Sequence, residues 1–191
     1  MKRIALAAVL LAAIGGKASA GGTYIGVGVG TIPAVSEDSE RVDADSRALK
    51  GILGMRWGQW SIEGSLGGNT LTRNRQSNLA TGTAVFEPFG DFYLLGASAK
   101  FNLPLGNNFE AFGRLGVNHM IVRAENTDND ASGNGLQFGA GFEYKLNLGV
   151  AGGSIFVDYT INRAAMTGDN NPKVEYDLTT RTWMLGLTIG I

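Results

Sequence analysis

The last stretch of the chain, Arg181-Thr-Trp-Met-Leu-Gly-Leu-Thr-Ile-Gly-Ile191, decides the fold. In an extended strand, successive side chains point to opposite faces, so every second residue shares a face. One face is wholly apolar and consists of Trp183, Leu185, Leu187, Ile189 and Ile191. The opposite face carries small or weakly polar side chains. A soluble sheet packs such an apolar face on a core, whereas a membrane barrel directs it to lipid and pairs its last strand with its first.

Other stretches of the chain show the same alternation. We predict further strands over 23–32, 47–57, 60–67, 92–103, 109–122, 135–146 and 154–162. Each has about the ten residues that a tilted strand needs to cross the hydrocarbon layer. Long and short connections alternate between them, which is typical of short periplasmic turns and long external loops. The sequence therefore predicts an all-β fold, an eight-stranded antiparallel up-and-down transmembrane β-barrel.

The connections and the aromatic residues support this arrangement. We predict that the polar segments 36–45, 68–90, 124–134 and 165–176 are loops, and that Gly58-Gln59 is a two-residue hairpin turn. Aromatic residues gather beside the short turns, as in the girdle of a membrane barrel. They are Trp57, Trp60, Phe101, Phe109 and Tyr144. A second group near the loop ends consists of Tyr93, Tyr159 and Trp183.

The first residues have the features of an export signal. Met1-Lys2-Arg3 is basic, Ile4–Ile14 is an apolar run too short for a membrane helix, and Ala18-Ser19-Ala20 is a small-x-small cleavage site. We predict a cleaved signal peptide over 1–20 and a barrel domain over 21–191. The expected location is the outer membrane of a Gram-negative bacterium, reached by secretion across the inner membrane.

The composition excludes several classes of function. The chain has no cysteine, so it contains neither disulfides nor a thiolate metal site. Its formal net charge is −1, and loss of the basic leader makes the remaining chain more acidic, which argues against a nucleic-acid partner. Charged residues make up only 17% of the chain, below the usual quarter, as a lipid-facing surface requires.

Three stretches carry a resemblance to a known family. They are Tyr24-Ile-Gly-Val-Gly-Val-Gly30, Gly139-Ala-Gly-Phe-Glu-Tyr144 and the alternating final strand. With these stretches, the whole mature chain resembles the small eight-stranded outer-membrane barrels: the OmpA transmembrane domain, the OmpX/Ail group and the opacity-type proteins. The resemblance implies contact with outer-membrane lipid and lipopolysaccharide, and assembly by machinery that binds the C-terminal strand. We expect a monomer without a cofactor.

Charged side chains on the inward-facing parity are the candidate functional residues. We predict a lumen ion-pair network of Arg56, Glu63, Lys100, Arg114, Glu143 and Asp158. The same parity also turns inward Lys50, Glu110 and Lys145. Charges in a narrow, low-dielectric interior must pair or bear a large desolvation cost. Arg56 lies diagonal to Glu63 across the first hairpin, so we expect those two residues to form a pair.

Two functions remain open for this lumen. The first is a structural or surface-interaction protein whose lumen is plugged by these ion pairs, because the interior of a barrel of about eight strands is filled by side chains. The second is a narrow, porin-like pore for small solutes, with a gate formed by Arg56, Glu63, Arg114 and Glu143.

An enzyme is a weaker alternative. The single histidine, His119, falls on the lipid-facing parity, and no Ser or Asp lies near it along its strand. Nucleophilic catalysis needs such a partner within hydrogen-bond reach of the base. We therefore predict that the protein is not an enzyme, although a triad completed in space would make it an outer-membrane enzyme.

One loop resembles part of a calcium site. Asp128-Asn-Asp130-Ala-Ser132-Gly133 matches the first half of an EF-hand loop. The twelfth position is Gly139, where that loop requires a bidentate Glu. We predict no metal site here, and weak Ca²⁺ binding by Asp128, Asp130 and Ser132 stays as the alternative.

Overall fold

Strands make up nearly all of the chain that the structure, a computed structural model, describes. The described residues are 22–30, 34–37, 40–42, 48–75, 85–124, 130–148, 151–168 and 175–191. Their strands are β1 (Thr23–Gly30), β2 (Ala34–Glu37), β3 (Glu40–Val42), β4 (Ala48–Trp57), β5 (Trp60–Arg75), β6 (Val85–Gly106), β7 (Phe109–Ala124), β8 (Ala131–Leu148), β9 (Ala151–Gly168) and β10 (Glu175–Gly190). No described segment is a helix that could span a membrane. The predicted signal peptide lies outside the described residues.

Eight of these strands close into a ring. The order is β1-β4-β5-β6-β7-β8-β9-β10, and β10 pairs back onto β1 with a register that runs from Tyr24↔Gly190 to Gly30↔Met184. Every neighbouring pair is antiparallel. Closure leaves the ring without an open edge. The predicted eight-stranded antiparallel barrel, with its last strand paired to its first, is confirmed.

The loop prediction was wrong at several boundaries. β5 extends to Arg75, β6 begins at Val85 and β8 begins at Ala131, all inside predicted loops. The predicted first loop overlaps β2 and contains β3, a hairpin that pairs with β10 through Thr179↔Ser36. Antiparallel backbone bonds do not depend on side-chain polarity, so strands continue past the end of the apolar alternation. The end of the apolar alternation therefore marks where the lipid contact ends, not where the strand ends.

Tight hairpins define one end of the barrel, which we call the short-turn end. Gly58 and Gln59 form the predicted two-residue turn, and Gly58 has a φ of +62°. Asn107 and Asn108 join β6 to β7 with φ values of 50° and 68°. Positive φ at both central residues is the geometry of a type I′ turn, whose twist matches that of paired strands. The opposite end is called the long-loop end below.

The outer face of the ring is apolar over a band. Leu187 is 50% exposed, whereas its neighbour Thr188 is 8% exposed, so the parity of the final strand is as predicted. Aromatic rings pair near the short turns, with 4.9 Å between the centroids of Trp60 and Phe101. Tyr159 and Trp183 pair at 4.8 Å further toward the long loops. Beyond this second pair the outer face becomes polar, so the aromatic pairs bound the apolar band.

Candidate functional site: the barrel lumen

The inward-facing side chains form three zones in the lumen, and an apolar cluster of Ile52, Phe112 and Phe156 packs within the first of them. The charged chain occupies the half near the short turns, and its members are Lys50, Asp158, Arg114, Glu63, Lys100, Glu143, Lys145, Glu110 and Arg56. A neutral polar layer follows, formed by Ser65, Asn118, Gln137, Asn162 and Thr180. An apolar cap lies toward the long-loop end, formed by Phe92, Leu94, Met120, Val122, Ala131, Ala164, Met166 and Leu178.

The charged chain alternates in sign along its whole length. In the order given above, every residue forms an ion contact with the next one. Among the described lumen residues, four carboxylates thus link five cations. Each carboxylate therefore lies between two positive charges. This arrangement offsets the desolvation cost that an unpaired buried charge would have.

Arg114 joins Asp158 to Glu63 in the charged chain. Its Nη2 lies 2.9 Å from Asp158 Oδ2, and its Nη1 lies 3.2 Å from Glu63 Oε2, an ion contact outside hydrogen-bond geometry. Lys50 contacts the same Asp158 oxygen at 3.5 Å. The stem of Arg114 crosses Gly139, where an added Cβ would lie 2.8 Å from Arg114 Cγ. A glycine at this position leaves room for the arginine side chain in the narrow lumen.

Lys100 joins the next two carboxylates. Its Nζ lies 3.3 Å from Glu63 Oε1 and 2.8 Å from Glu143 Oε2. The Tyr24 hydroxyl donates to Glu63 Oε1 at 2.6 Å, and the Ser154 hydroxyl donates to Glu143. Sequence reasoning missed Tyr24 as a site residue, although its inward parity within a glycine-rich strand pointed to the lumen. Glu63 is thus held by one hydroxyl and two cations.

At the short-turn end the predicted pairing of Arg56 was wrong. Arg56 lies opposite Ser61, as expected, but its guanidinium donates to both Glu110 oxygens, at 2.7 and 2.9 Å, and not to Glu63. Glu63 is already occupied by partners deeper in the lumen, and Glu110 reaches Arg56 across the barrel from β7. Lys145 then joins Glu110 to Glu143 at 3.3 and 2.7 Å.

A cavity of about 260 Å³ lies at the short-turn end. Its lining includes Tyr24, Arg56, Lys100, Glu143 and Lys145. The charged chain therefore forms the floor of a polar recess.

The neutral polar layer is incompletely bonded. Asn118 Nδ2 donates to the Leu136 carbonyl at 2.8 Å and reaches Asn162 Oδ1 at 3.4 Å, and Asn162 donates to Thr180 at 3.3 Å. Both amide atoms of Gln137 have no hydrogen-bond partner among the described residues, although the side chain is only 1% exposed. The buried Asn118 Oδ1 is also without one. Buried polar atoms of this kind are usually bonded to protein or to ordered water.

The apolar cap was not predicted. Leu94 pairs with Met120 across β6 and β7, and Phe92 pairs with Val122 one step further toward the long loops. Met120 is 0% exposed and Met166 is 1% exposed. The parity of these residues indicated the lumen, but they lay in or beside segments whose polarity favoured loops.

Two other candidate sites lie elsewhere. His119 Nδ1 is 2.9 Å from Asn134 Oδ1 on the outer face of the barrel. Residues 131–133 of the EF-hand-like stretch form regular strand, with Ser132 opposite Thr167, so the predicted loop geometry is wrong there. Asp128 lies outside the described residues. Within the described ranges, no cluster of three or more His, Cys, Asp or Glu side chains could hold a metal ion.

Comparisons with known proteins agree with this architecture. Residues 4–189 match the family model described as outer membrane protein beta-barrel domain. Ail, the attachment invasion locus protein of Yersinia pestis, is 21% identical with a TM-score of 0.55, over 91% of this chain and 100% of Ail. Neisserial surface protein A is 13% identical with a TM-score of 0.65, over the same shares of the two chains. Among curated proteins, no sequence matches the chain. The chain belongs to the outer membrane protein β-barrel family.

Proposed function

We propose that this outer-membrane barrel has a structural and surface-interaction role, with a lumen that is closed to solutes. The observation that supports this role best is the continuous charged chain. Arg114, Asp158 and Glu63 have side chains that are 2% exposed or less, and the chain links them to Arg56 at the short-turn end. Paired charges of this kind act as a core and leave no free charged surface to conduct ions.

The surface role rests on the length of the barrel. β5 to β10 continue past the apolar band, and the β2–β3 hairpin adds to this extension. The structural neighbours include an attachment invasion locus protein and a surface protein, and Ail has a structure in complex with a heparin analogue, sucrose octasulfate. For this chain, we propose that the long-loop end lies outside the cell and presents the interaction surface.

The proposed orientation is testable because the chain has no cysteine. Asp130→Cys, at the long-loop end, should react with a membrane-impermeant maleimide on intact cells. Gln59→Cys, in a short turn, should react only after the outer membrane is permeabilised. Labelling of Gln59→Cys alone on intact cells would reverse the orientation.

The second candidate is a narrow pore, which the 260 Å³ cavity at the short-turn end favours. Single-channel recording of the purified wild-type protein in planar bilayers separates the two functions. The structural role predicts conductance at the background level, and discrete channels of constant unit conductance would favour the pore.

We assign the protein no catalytic role, and we propose that it is a monomer surrounded by lipid and lipopolysaccharide. We also propose assembly through its C-terminal strand, and the pairing of β10 with β1 supports this proposal. Depletion of the barrel-assembly machinery should abolish the heat-modifiable gel migration of the folded form. Unchanged migration after depletion would exclude that machinery as a partner.

A further inference from the structure

We propose that the permeability barrier of the lumen is the apolar cap, and that the charged chain below it is a wet structural core. This inference rests on the proposed closed lumen and locates the closure in particular residues. The two zones lie in series along the same lumen, so the zone with the higher barrier sets its permeability. The position of each zone along the lumen and the hydrogen bonding of its side chains indicate which zone is the barrier.

The polar zones have the features of a hydrated interior. The unpartnered amide atoms of Gln137 and Asn118 Oδ1 lie in the neutral polar layer, above the charged chain. Buried amide groups without protein partners are costly unless water bonds them. A small cavity of about 40 Å³, lined by Lys50, Asn162 and Thr180 among others, adjoins this layer. A space of this size between polar groups is sufficient for ordered water.

The polar features continue from the short-turn end to the cap. The 260 Å³ recess is lined by Lys100 and Glu143, and the charged chain leads from these residues through Arg114 to Lys50. Lys50 also lines the smaller cavity, together with Phe92 and Leu94 of the cap. Polar groups that could bond water therefore extend along the lumen up to the apolar cap.

The apolar cap interrupts this path. It draws side chains from β6, β7, β8, β9 and β10, and its central members Met120, Ala164 and Met166 are at most 1% exposed. These side chains offer an ion no hydrogen-bonding group to replace its hydration shell, and an apolar constriction excludes ions by dewetting. The charged chain, by contrast, provides polar groups along its whole length.

The test compares paired substitutions of similar size in the two zones. Leu94→Ser with Met120→Ser opens the cap at one cross-strand pair. Glu63→Ser with Lys100→Ser removes a comparable volume from the charged chain, together with the Glu63–Lys100, Glu63–Arg114 and Lys100–Glu143 contacts. Single-channel conductance in planar bilayers is measured after heat-modifiable migration has shown that each variant is folded. Leu95→Ser, on the lipid face beside Leu94, is the matched control.

The cap variant should raise conductance by about tenfold or more over wild type, since a loss of about 1.4 kcal/mol from a barrier raises a rate tenfold. The ion-pair variant and Leu95→Ser should stay at background. If the double cap variant does not fold, Leu94→Ser alone is used, with a smaller rise expected. A conducting ion-pair variant, or a folded cap variant that stays at background, would overturn the cap as the barrier. Conduction by wild type would instead contradict the closed lumen itself.

Discussion

The two halves of the lumen differ in chemistry on the same inward parity: charges packed around Ile52, Phe112 and Phe156 near the short turns, and apolar side chains alone in the cap. Near the short turns, Arg114 and its neighbours are fixed by directional contacts of 2.9 to 3.5 Å. Near the long loops, Met120 and Met166 are fixed only by non-directional packing. Removing one charge takes an ion contact from each of its partners, whereas exchanging one apolar side chain for another of similar volume changes little. The stability of the charged half should therefore depend on which charges are present, and the stability of the cap on the volume of its side chains.

The largest effect is expected at Arg114, whose side chain is 2% exposed. Arg114→Met leaves Glu63 and Asp158 each without one cation, and should lower the free energy of unfolding by about 3–5 kcal/mol. Met120→Leu, in the cap, should cost less than about 1.5 kcal/mol because volume is nearly conserved. Urea unfolding in lipid vesicles measures both.

Arg123→Met is the control for Arg114→Met, because Arg123 lies on the outer face of the same strand, over the Tyr93 ring at 5.6 Å. It should change the free energy of unfolding by less than about 1 kcal/mol. Equal losses of unfolding free energy for the two arginine variants would show that a charge in the buried charged chain matters no more than one on the surface.

The lipid face extends the comparison to a surface that provides no partner for a charge. Leu187→Arg places a cation against hydrocarbon, and should cost about 2–4 kcal/mol near the midplane. Leu187→Met keeps an apolar surface and should have little effect. Folding of both variants into vesicles with equal stability would contradict the outward placement of the final strand.

Glycines inside the charged half should be less tolerant than glycines outside it. Gly139→Ala places a Cβ 2.8 Å from Arg114 Cγ, and overpacking of this kind costs about 1–3 kcal/mol. A Cβ added at Gly113 would meet nothing within 4 Å, and Gly113 lies beside Gly139 in the ladder, opposite Ala140. Gly113→Ala should therefore be neutral in urea unfolding. A larger loss for Gly113→Ala would show that backbone strain, not contact with Arg114, sets the cost.

The barrel itself was predictable because strand parity is a local property of the sequence. Leu187 and Thr188 fall on opposite faces whatever the rest of the chain does, and closure of β10 on β1 removes the open edges that a sheet in lipid cannot keep. Strand ends were not predictable in this way. β5 continues to Arg75 through backbone bonds that leave no mark in side-chain polarity.

The contents of the lumen were predictable as a set of residues but not as pairs. Parity turned Arg56, Glu63 and Glu110 inward, and cross-strand rules then favoured the nearest carboxylate along the hairpin. Long side chains in a narrow ring instead reach across it, as Arg56 does to Glu110. The sequence pattern does not encode distances across the ring, so neither this pair nor the packing of the cap was foreseen.

The smallest expected effect distinguishes the observed pair, Arg56 with Glu110, from the predicted pair, Arg56 with Glu63. Arg56→Gln and Glu110→Gln should show a coupling energy of about 1 kcal/mol in a double-mutant cycle, because groups in direct contact couple by roughly 0.5–3 kcal/mol. The value lies toward the low end because the Arg56 side chain is 22% exposed. Arg56→Gln and Glu63→Gln share no contact, so their losses should add within about 0.5 kcal/mol. Urea unfolding of the single and double variants measures both cycles, and coupling only between Arg56 and Glu63 would restore the hairpin pair that the register first indicated.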